Sequence, residues 1–578
     1  MLKLLVEDRN YNKYTLYDAN TLEELIMSSI TANDILGAKL FNNDVVKVST
    51  NNEDNKHKFT IIHSCIRSMT SIPCVLICND GKTFGKSSSG KKFLYKCIPD
   101  DKRLPCFVVP YELKQGVFSK NIINKYVNIS FDHWNGKHPN GLLTQVIGDV
   151  NEIDKFYEYQ LYCKSLNASI QQFSKSSINA IGGRCTKDIV EGMLNTFTIE
   201  DRRSFDVITI DSKSTTDFDD ALSYTYTDTS QTLSIYITNV ALYMQYLGLW
   251  ESFSERISTI YLPDRKRPMI PTVLSKSLLS LIQGQDRIAL CLDISYDIDK
   301  KIFQTSLRNV VINVRTNFVY NEHSLTKDKL YQPLFEFHKV LIQQYPYKEC
   351  VNTSNHLIAY YMVVMNYVCA QMLSDSNKGI FRSYVRDSTK EDSDVSEIKD
   401  PSIKTFIQIW KSTSGQYVVG NCDLPKHHDL LGLDTYVHIT SPIRRLVDLL
   451  NIIELQQSTS LLEKSESSLA FQDKWIARID DINKTMRAIR KVQTESGLLH
   501  LLSTNPGIDQ CEYYGYLFDK AIRNDKLYQY HVYIPKLHLV SRITSRLEKS
   551  SNEEVKVKIF TFEDEDNFVR KVRVQLIE

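Results

Sequence analysis

One stretch constrains this chain more than any other: Ile208-Thr-Ile-Asp-Ser-Lys-Ser-Thr-Thr-Asp-Phe-Asp-Asp-Ala-Leu222. It places Asp211, Asp217, Asp219 and Asp220 within ten residues, with Lys213 the one cation among them. Val207, Ile208 and Ile210 read as a strand, the Ser/Thr run as a loop, and Leu233-Ser-Ile-Tyr-Ile-Thr-Asn-Val240 as a second strand. A fold that holds this loop against a core must dispose of four like charges, because carboxylates converging in a partly desolvated site repel one another strongly. Either they splay into water as a surface turn, or they share a multivalent cation. All-oxygen ligands suit a hard ion, Mg2+ or Mn2+. An EF-hand is excluded, since the glycine at position six and the glutamate at position twelve are both missing.

Two further blocks bear on chemistry. In Tyr436-Val-His-Ile-Thr-Ser-Pro-Ile-Arg-Arg-Leu-Val-Asp-Leu-Leu-Asn451, Ser441 and Pro442 predict a helix start with Arg444 and Arg445 in its first turn. There the free N–H groups and the helix dipole favour anions, and the arginine fork suits a phosphate. The block that runs from Ser258-Thr-Ile-Tyr-Leu-Pro-Asp-Arg-Lys-Arg-Pro-Met-Ile-Pro271 on to Leu281 carries Tyr261 and Arg267, and Asp286-Arg-Ile-Ala-Leu290 follows it.

These blocks, in this order, resemble the active-site signatures of the RNase II (RNB) family of exoribonucleases, in the style of the eukaryotic exosome-type members. Asp100-Asp-Lys-Arg-Leu-Pro105, Trp134 and Pro139-Asn-Gly resemble the second cold-shock-type OB domain of those proteins. The resemblance implies a multidomain fold in which small β-barrel domains of OB or cold-shock type flank a large mixed α/β RNB domain. The expected boundaries are 1–85, 86–180, 181–504 and 505–578. It also implies processive 3′-to-5′ hydrolysis of single-stranded RNA to nucleoside 5′-monophosphates by a two-metal-ion mechanism. Asp211, Asp217, Asp219 and Asp220 would be the metal ligands and Asp217, Asp219 and Arg444 the catalytic groups, with Tyr261, Tyr320, Arg445 and Arg267 binding RNA. The alternative is a catalytically silent RNA-binding relative that regulates translation or decay.

The chain departs from the family pattern in three places. Ala359-Tyr360 stands where Glu-Glu is usual, Tyr236-Ile-Thr-Asn-Val240 where His-Ile-Ala-Asp-Val is usual, and Asn451-Ile452 where Asn-His is usual. Tyr360 or Asn239 is the expected substitute, acting by hydrogen bonding.

Composition narrows the remaining choices. With 70 Lys and Arg against 69 Asp and Glu, the chain has no global attraction for nucleic acid, so an RNA path must come from local segregation of charge. Twelve cysteines without a CxxC pair argue against zinc and for reduced thiols. No apolar run is read as reaching membrane-span length, so a soluble, cytoplasmic protein without a membrane partner is expected. No PIN-type region precedes the barrels, so exosome tethering is not expected; a monomer is, with a helicase or decay complex as candidate partner. Lys82–Lys92 reads as an interdomain linker, and Trp475 to Val492 as one amphipathic helix.

Overall fold

The computed structural model describes residues 1–27, 29–50, 57–87, 90–113, 122–385, 400, 403, 406, 415–505, 507–508, 511–523, 525–550, 552–564 and 569–577. Three five-stranded antiparallel sheets in it share one connectivity: the first strand is central, the second and fourth flank it, and the third and fifth lie outermost. The first sheet begins with Leu2–Val6 and ends with His57–His63; the second runs from Ile72–Leu76 to Gly141–Asp149, and the third from Glu512–Ile522 to Val569–Leu576. In the second, a parallel bridge between Val108 and Asn140 joins the third strand to the entry of the fifth and closes the sheet, the connectivity of an OB-type barrel. Period-two alternation drives the folding of each. In Glu554–Asp564, Val555, Val557 and Ile559 fill the interior while Lys556 faces solvent.

The expected boundary near residue 85 is corrected. Ile72–Leu76, placed in the first unit by its sequence neighbourhood, is the central strand of the second barrel, paired with Phe93–Pro99 and Lys125–Phe131. Its apolar run is flanked on both sides by strands far downstream. The Gly/Ser/Lys-rich stretch after it, described at 82–87 and 90–92, therefore connects two paired strands of one barrel, where a linker between barrels was expected.

The central unit is a sheet that closes on itself. Val207–Asp211 pairs with Asp220–Tyr226, then come Ser230–Thr238 and Asp286–Asp297, and the last pairs with Ile302–Val319, which returns to run parallel to Val207–Asp211. The 18-residue strand Ile302–Val319 serves three partners along its length, Asp286–Asp297, Val207–Asp211 and the short Glu200–Asp201, which makes closure feasible. Val207, Ala221, Tyr236, Ala289, Cys291, Val310 and Ile312 pack inside the ring. Ile208, Ile210, Leu222, Ile235 and Leu290 face the helices outside it.

Two expectations about helices are corrected. Ser354–Asp375 is long and apolar enough to cross a membrane by length and composition, at a mean hydropathy of 1.4, contrary to the sequence reading. Its Leu357, Tyr361, Val364, Met365 and Leu373 are buried in the main core, the ordinary state of a central helix in a globular domain. The amphipathic run at the end of the domain is two helices, Glu466–Ile476 and Ile479–Thr504, broken at Ala477-Arg478.

Candidate active site at the rim of the closed sheet

The acidic residues gather where strands end. Asp211 closes Val207–Asp211, Asp220 opens Asp220–Tyr226, and Tyr320 follows Ile302–Val319, its N–H donating to the Asp211 carbonyl at 2.8 Å. Phe218 is held on both sides: its N–H donates to Ser280 Oγ at 2.9 Å, and its carbonyl accepts from the Leu281 N–H at 3.0 Å. This pins the loop so that Asp219 points inward, 4% exposed.

Asp219 is where the distant blocks meet. Its Oδ1 accepts the Ile443 N–H at 3.0 Å, and its Oδ2 lies 3.5 Å from Arg444 Nε. The Arg444 carbonyl in turn accepts from the Thr259 N–H at 3.0 Å and Ser258 Oγ at 2.9 Å, so the third block clamps the arginine turn from behind. Tyr261 is half exposed and has Arg444 beside its hydroxyl, and Gln493 Oε1 accepts its N–H at 2.9 Å.

Three carboxyls here are strongly perturbed. Burial pushes Asp219 up to about 7, with Arg444 opposing the shift. Burial, together with the neighbouring Asp219, pushes Asp211 up to about 7; burial and Asp211 push Asp220 up to about 8. Asp211 Oδ2 is buried without a hydrogen-bond partner. Among the described residues no three acidic, His or Cys side chains form a complete metal cage. The donor set nonetheless fits Mg2+, which is commonly held by one or two carboxylates with substrate phosphate and water completing its shell. Such an ion also needs its ligands deprotonated.

A raised acid binds protons more tightly in the folded chain than in the unfolded one, so the metal-free fold loses stability as pH rises from about 4 towards 8. In chelator, the melting temperature is expected to fall between pH 5.5 and 8, and Asp220→Asn to shrink that fall. A fall of equal size in the variant would mean that Asp220 titrates like an ordinary carboxylate.

The structure places the other expected site residues differently. Asp217 does not join the three: its Oδ2 lies 2.5 Å from Lys266 Nζ. Arg444 and Arg445 precede the helix, which starts at Leu446, so neither sits in its first turn. Arg444 stays half exposed at the site, whereas Arg445 turns inward to Asp448 Oδ1 at 2.8 Å. Asp448 is fully buried and also accepts the Ser441 N–H at 2.8 Å. Arg445 is thus corrected from an RNA ligand to a support of the turn. Removing one partner of such a buried pair costs about 3–5 kcal/mol, so Asp448→Asn is expected to lower the unfolding midpoint of the central domain clearly in calorimetry.

Arg267 is corrected likewise. It is 6% exposed, and its guanidinium is taken by Asp264 at 2.6 Å and Glu158 at 2.8 Å, so no phosphate can reach it. Neither expected substitute for the missing glutamate is available. The Tyr360 hydroxyl is buried and donates to the Tyr345 carbonyl at 3.1 Å. Asn239 is buried, caps Val240–Leu247 and donates to Asn309 Oδ1 at 2.9 Å. Sequence reasoning passed over Lys266 and Gln493. Lys266 sits among Arg265 and Arg267 with nothing in residue type to set it apart; only its register opposite Tyr261 in the hairpin Ile260–Tyr261 and Lys266–Arg267 marks it.

Comparison with known proteins agrees with this architecture. The family model of the RNB domain matches residues 199–332. Ribonuclease R of Mycoplasmopsis pulmonis (strain UAB CTIP) is 34% identical over 124 residues, covering 21% of this chain and 17% of that protein. Exosome complex exonuclease RRP44 of Mus musculus is 26% identical over 234 residues, covering 40% of this chain and 23% of that protein. The matched segment thus spans under a quarter of the length of either relative. Among solved structures, Mycoplasma genitalium RNase R in complex with ribose-methylated single-stranded RNA superposes with a TM-score of 0.68 at 17% identity, over 100% of both chains. Yeast Ssd1, a pseudonuclease, superposes with a TM-score of 0.59 at 12% identity, over 97% of this chain and 81% of that one. At these identities the likeness is one of fold. The ring of strands and its acidic rim are an RNB domain, homologous to those of the RNase R and exosome exonuclease proteins.

Proposed function

We propose that this chain is a divalent-metal-dependent exoribonuclease that hydrolyses single-stranded RNA from its 3′ end, releasing nucleoside 5′-monophosphates. The observation that carries the reading is the convergence of Asp211, Asp219 and Asp220 with Arg444 on one rim, assembled from distant segments. Asp211 and Asp220 would hold Mg2+ or Mn2+, with Asp219 serving the nucleophile side. The bound ion supplies a lowered pKa for water and charge neutralisation at the phosphate. Arg444 steadies charge on the phosphate, and Tyr261 offers a half-exposed ring for the terminal base. The Ile443 N–H and Arg444 hold Asp219 in one orientation, so the carboxylate need not reorganise as the reaction proceeds.

A silent RNA binder is the second reading, favoured by one observation: neither expected substitute for the absent glutamate is available, since Tyr360 and Asn239 are both committed to the core. The two separate on incubating the chain with a 5′-labelled RNA bearing a single-stranded 3′ tail. The nuclease trims it with Mg2+, is silent with chelator and spares the deoxy strand; the binder retains the RNA intact whatever metal is added. RNA over DNA is the expected preference, resting on contacts to the 2′-hydroxyl.

A further inference from the structure

Lys266 is a cation, paired with the acidic loop, that the mechanism above leaves unused. It lies in the hairpin of Ile260–Tyr261 and Lys266–Arg267, directly opposite Tyr261. Arg267 beside it is consumed by Asp264 and Glu158, and Arg265 by the same two carboxylates near the surface. Lys266 points the other way, into the acidic loop. Its Nζ lies 2.5 Å from Asp217 Oδ2 and 2.8 Å from Thr216 Oγ1, with the Asp217 carboxylate 13% exposed. A fully solvated lysine pair contributes little, but a mostly covered one holds its carboxylate in place, because separating the charges would strand one of them away from water.

The charge count gives the pair a meaning. Among the described residues two cations pair with the four aspartates, Lys266 with Asp217 and Arg444 with Asp219, so once the carboxyls are deprotonated, as a metal requires, two negative charges stay unpaired, matching one divalent ion. Without Lys266 three would remain, and Asp217 would be free to swing toward the others.

Resting on the metal-dependent reading, we propose that Lys266 is a positioning residue that stands in for a second divalent ion. Its ammonium withdraws Asp217 from the metal-holding carboxylates, so the RNA-free chain takes up one divalent ion where an open site would take two. Because Lys266 is paired with Tyr261 across the hairpin, the same contact ties the base platform to the acidic loop, and Asp217 joins a metal only when that contact opens.

The test is Mn2+ binding to the full chain without RNA, followed by electron paramagnetic resonance and calorimetry. The wild-type chain is expected to bind one Mn2+, Lys266→Met two, and the double variant Lys266→Met/Asp217→Asn one again. Asp217→Asn alone, which does not depend on Lys266→Met folding, is expected to leave Mn2+ affinity within about twofold of the wild type. Two ions on the wild-type chain, an unchanged count in Lys266→Met, or an affinity loss above about tenfold in Asp217→Asn each overturns the role of Lys266. The metal-dependent reading has its own arm: it fails, and this proposal with it, if Asp211→Asn/Asp220→Asn leaves Mn2+ binding unaltered.

Discussion

Replacing Asp219 with asparagine is expected to lower the rate of RNA hydrolysis by about three orders of magnitude while leaving RNA affinity in chelator within about threefold. The side chain keeps its shape but loses the charge that faces the Arg444 guanidinium and, on the reading proposed above, would face the metal; a bound metal is worth several kcal/mol to such a reaction, with each 1.4 kcal/mol a factor of ten. Asparagine can still accept the Ile443 N–H through its remaining carbonyl oxygen, so the turn that carries Arg444 persists. Single-turnover trimming of a labelled RNA, paired with fluorescence anisotropy, measures both quantities. Near-normal turnover in Mg2+ would remove Asp219 from the chemistry, and parallel loss of binding would mean that the variant has disturbed the fold.

Arg444→Lys is expected to cost about 10²-fold in turnover with little change in KM. Arg444 is half exposed, donates through Nη2 to Ser441 Oγ at 2.9 Å and lies 3.5 Å from Asp219, so part of its fork is uncommitted and faces the site. A lysine keeps the charge but not the paired donors that grip a phosphate, and the loss falls on an interaction that strengthens as charge develops. A fall in kcat and kcat/KM together identifies that contribution. A rise in KM alone would make Arg444 a docking residue. Arg445→Lys provides the contrast: its partner is Asp448, so its effect is expected on thermal stability first.

Much of this was legible in the chain itself. The acidic loop, the Thr440-Ser-Pro-Ile-Arg-Arg445 turn and the alternating strands of the last barrel carry local patterns, and local patterns survive in one dimension. What the residues could not reveal was partnership. Arg267 and Arg444 are the same residue type in equally suggestive surroundings, yet one is covered by Glu158, more than a hundred residues upstream, and the other is left open. Ile72–Leu76 reads as the end of the first barrel until its partners across a long loop are known. The helix Ser354–Asp375 reads as apolar for the plain reason that its neighbours cover it. Asp217, indistinguishable from its fellow aspartates by spacing, is set apart by a lysine on another hairpin.

The bond from the Ile443 amide to Asp219 spans 224 residues of chain. At a synthesis speed of roughly 5–20 residues per second, the ribosome needs about 10–45 s to deliver the second partner after the first. During that interval the emerging polypeptide carries its aspartates without their arginine, and its ring of strands waits first for Ile302–Val319 and then for the turn that locks the rim. A nascent chain stalled short of that turn would therefore hold its acidic loop without the amide and the guanidinium that orient Asp219.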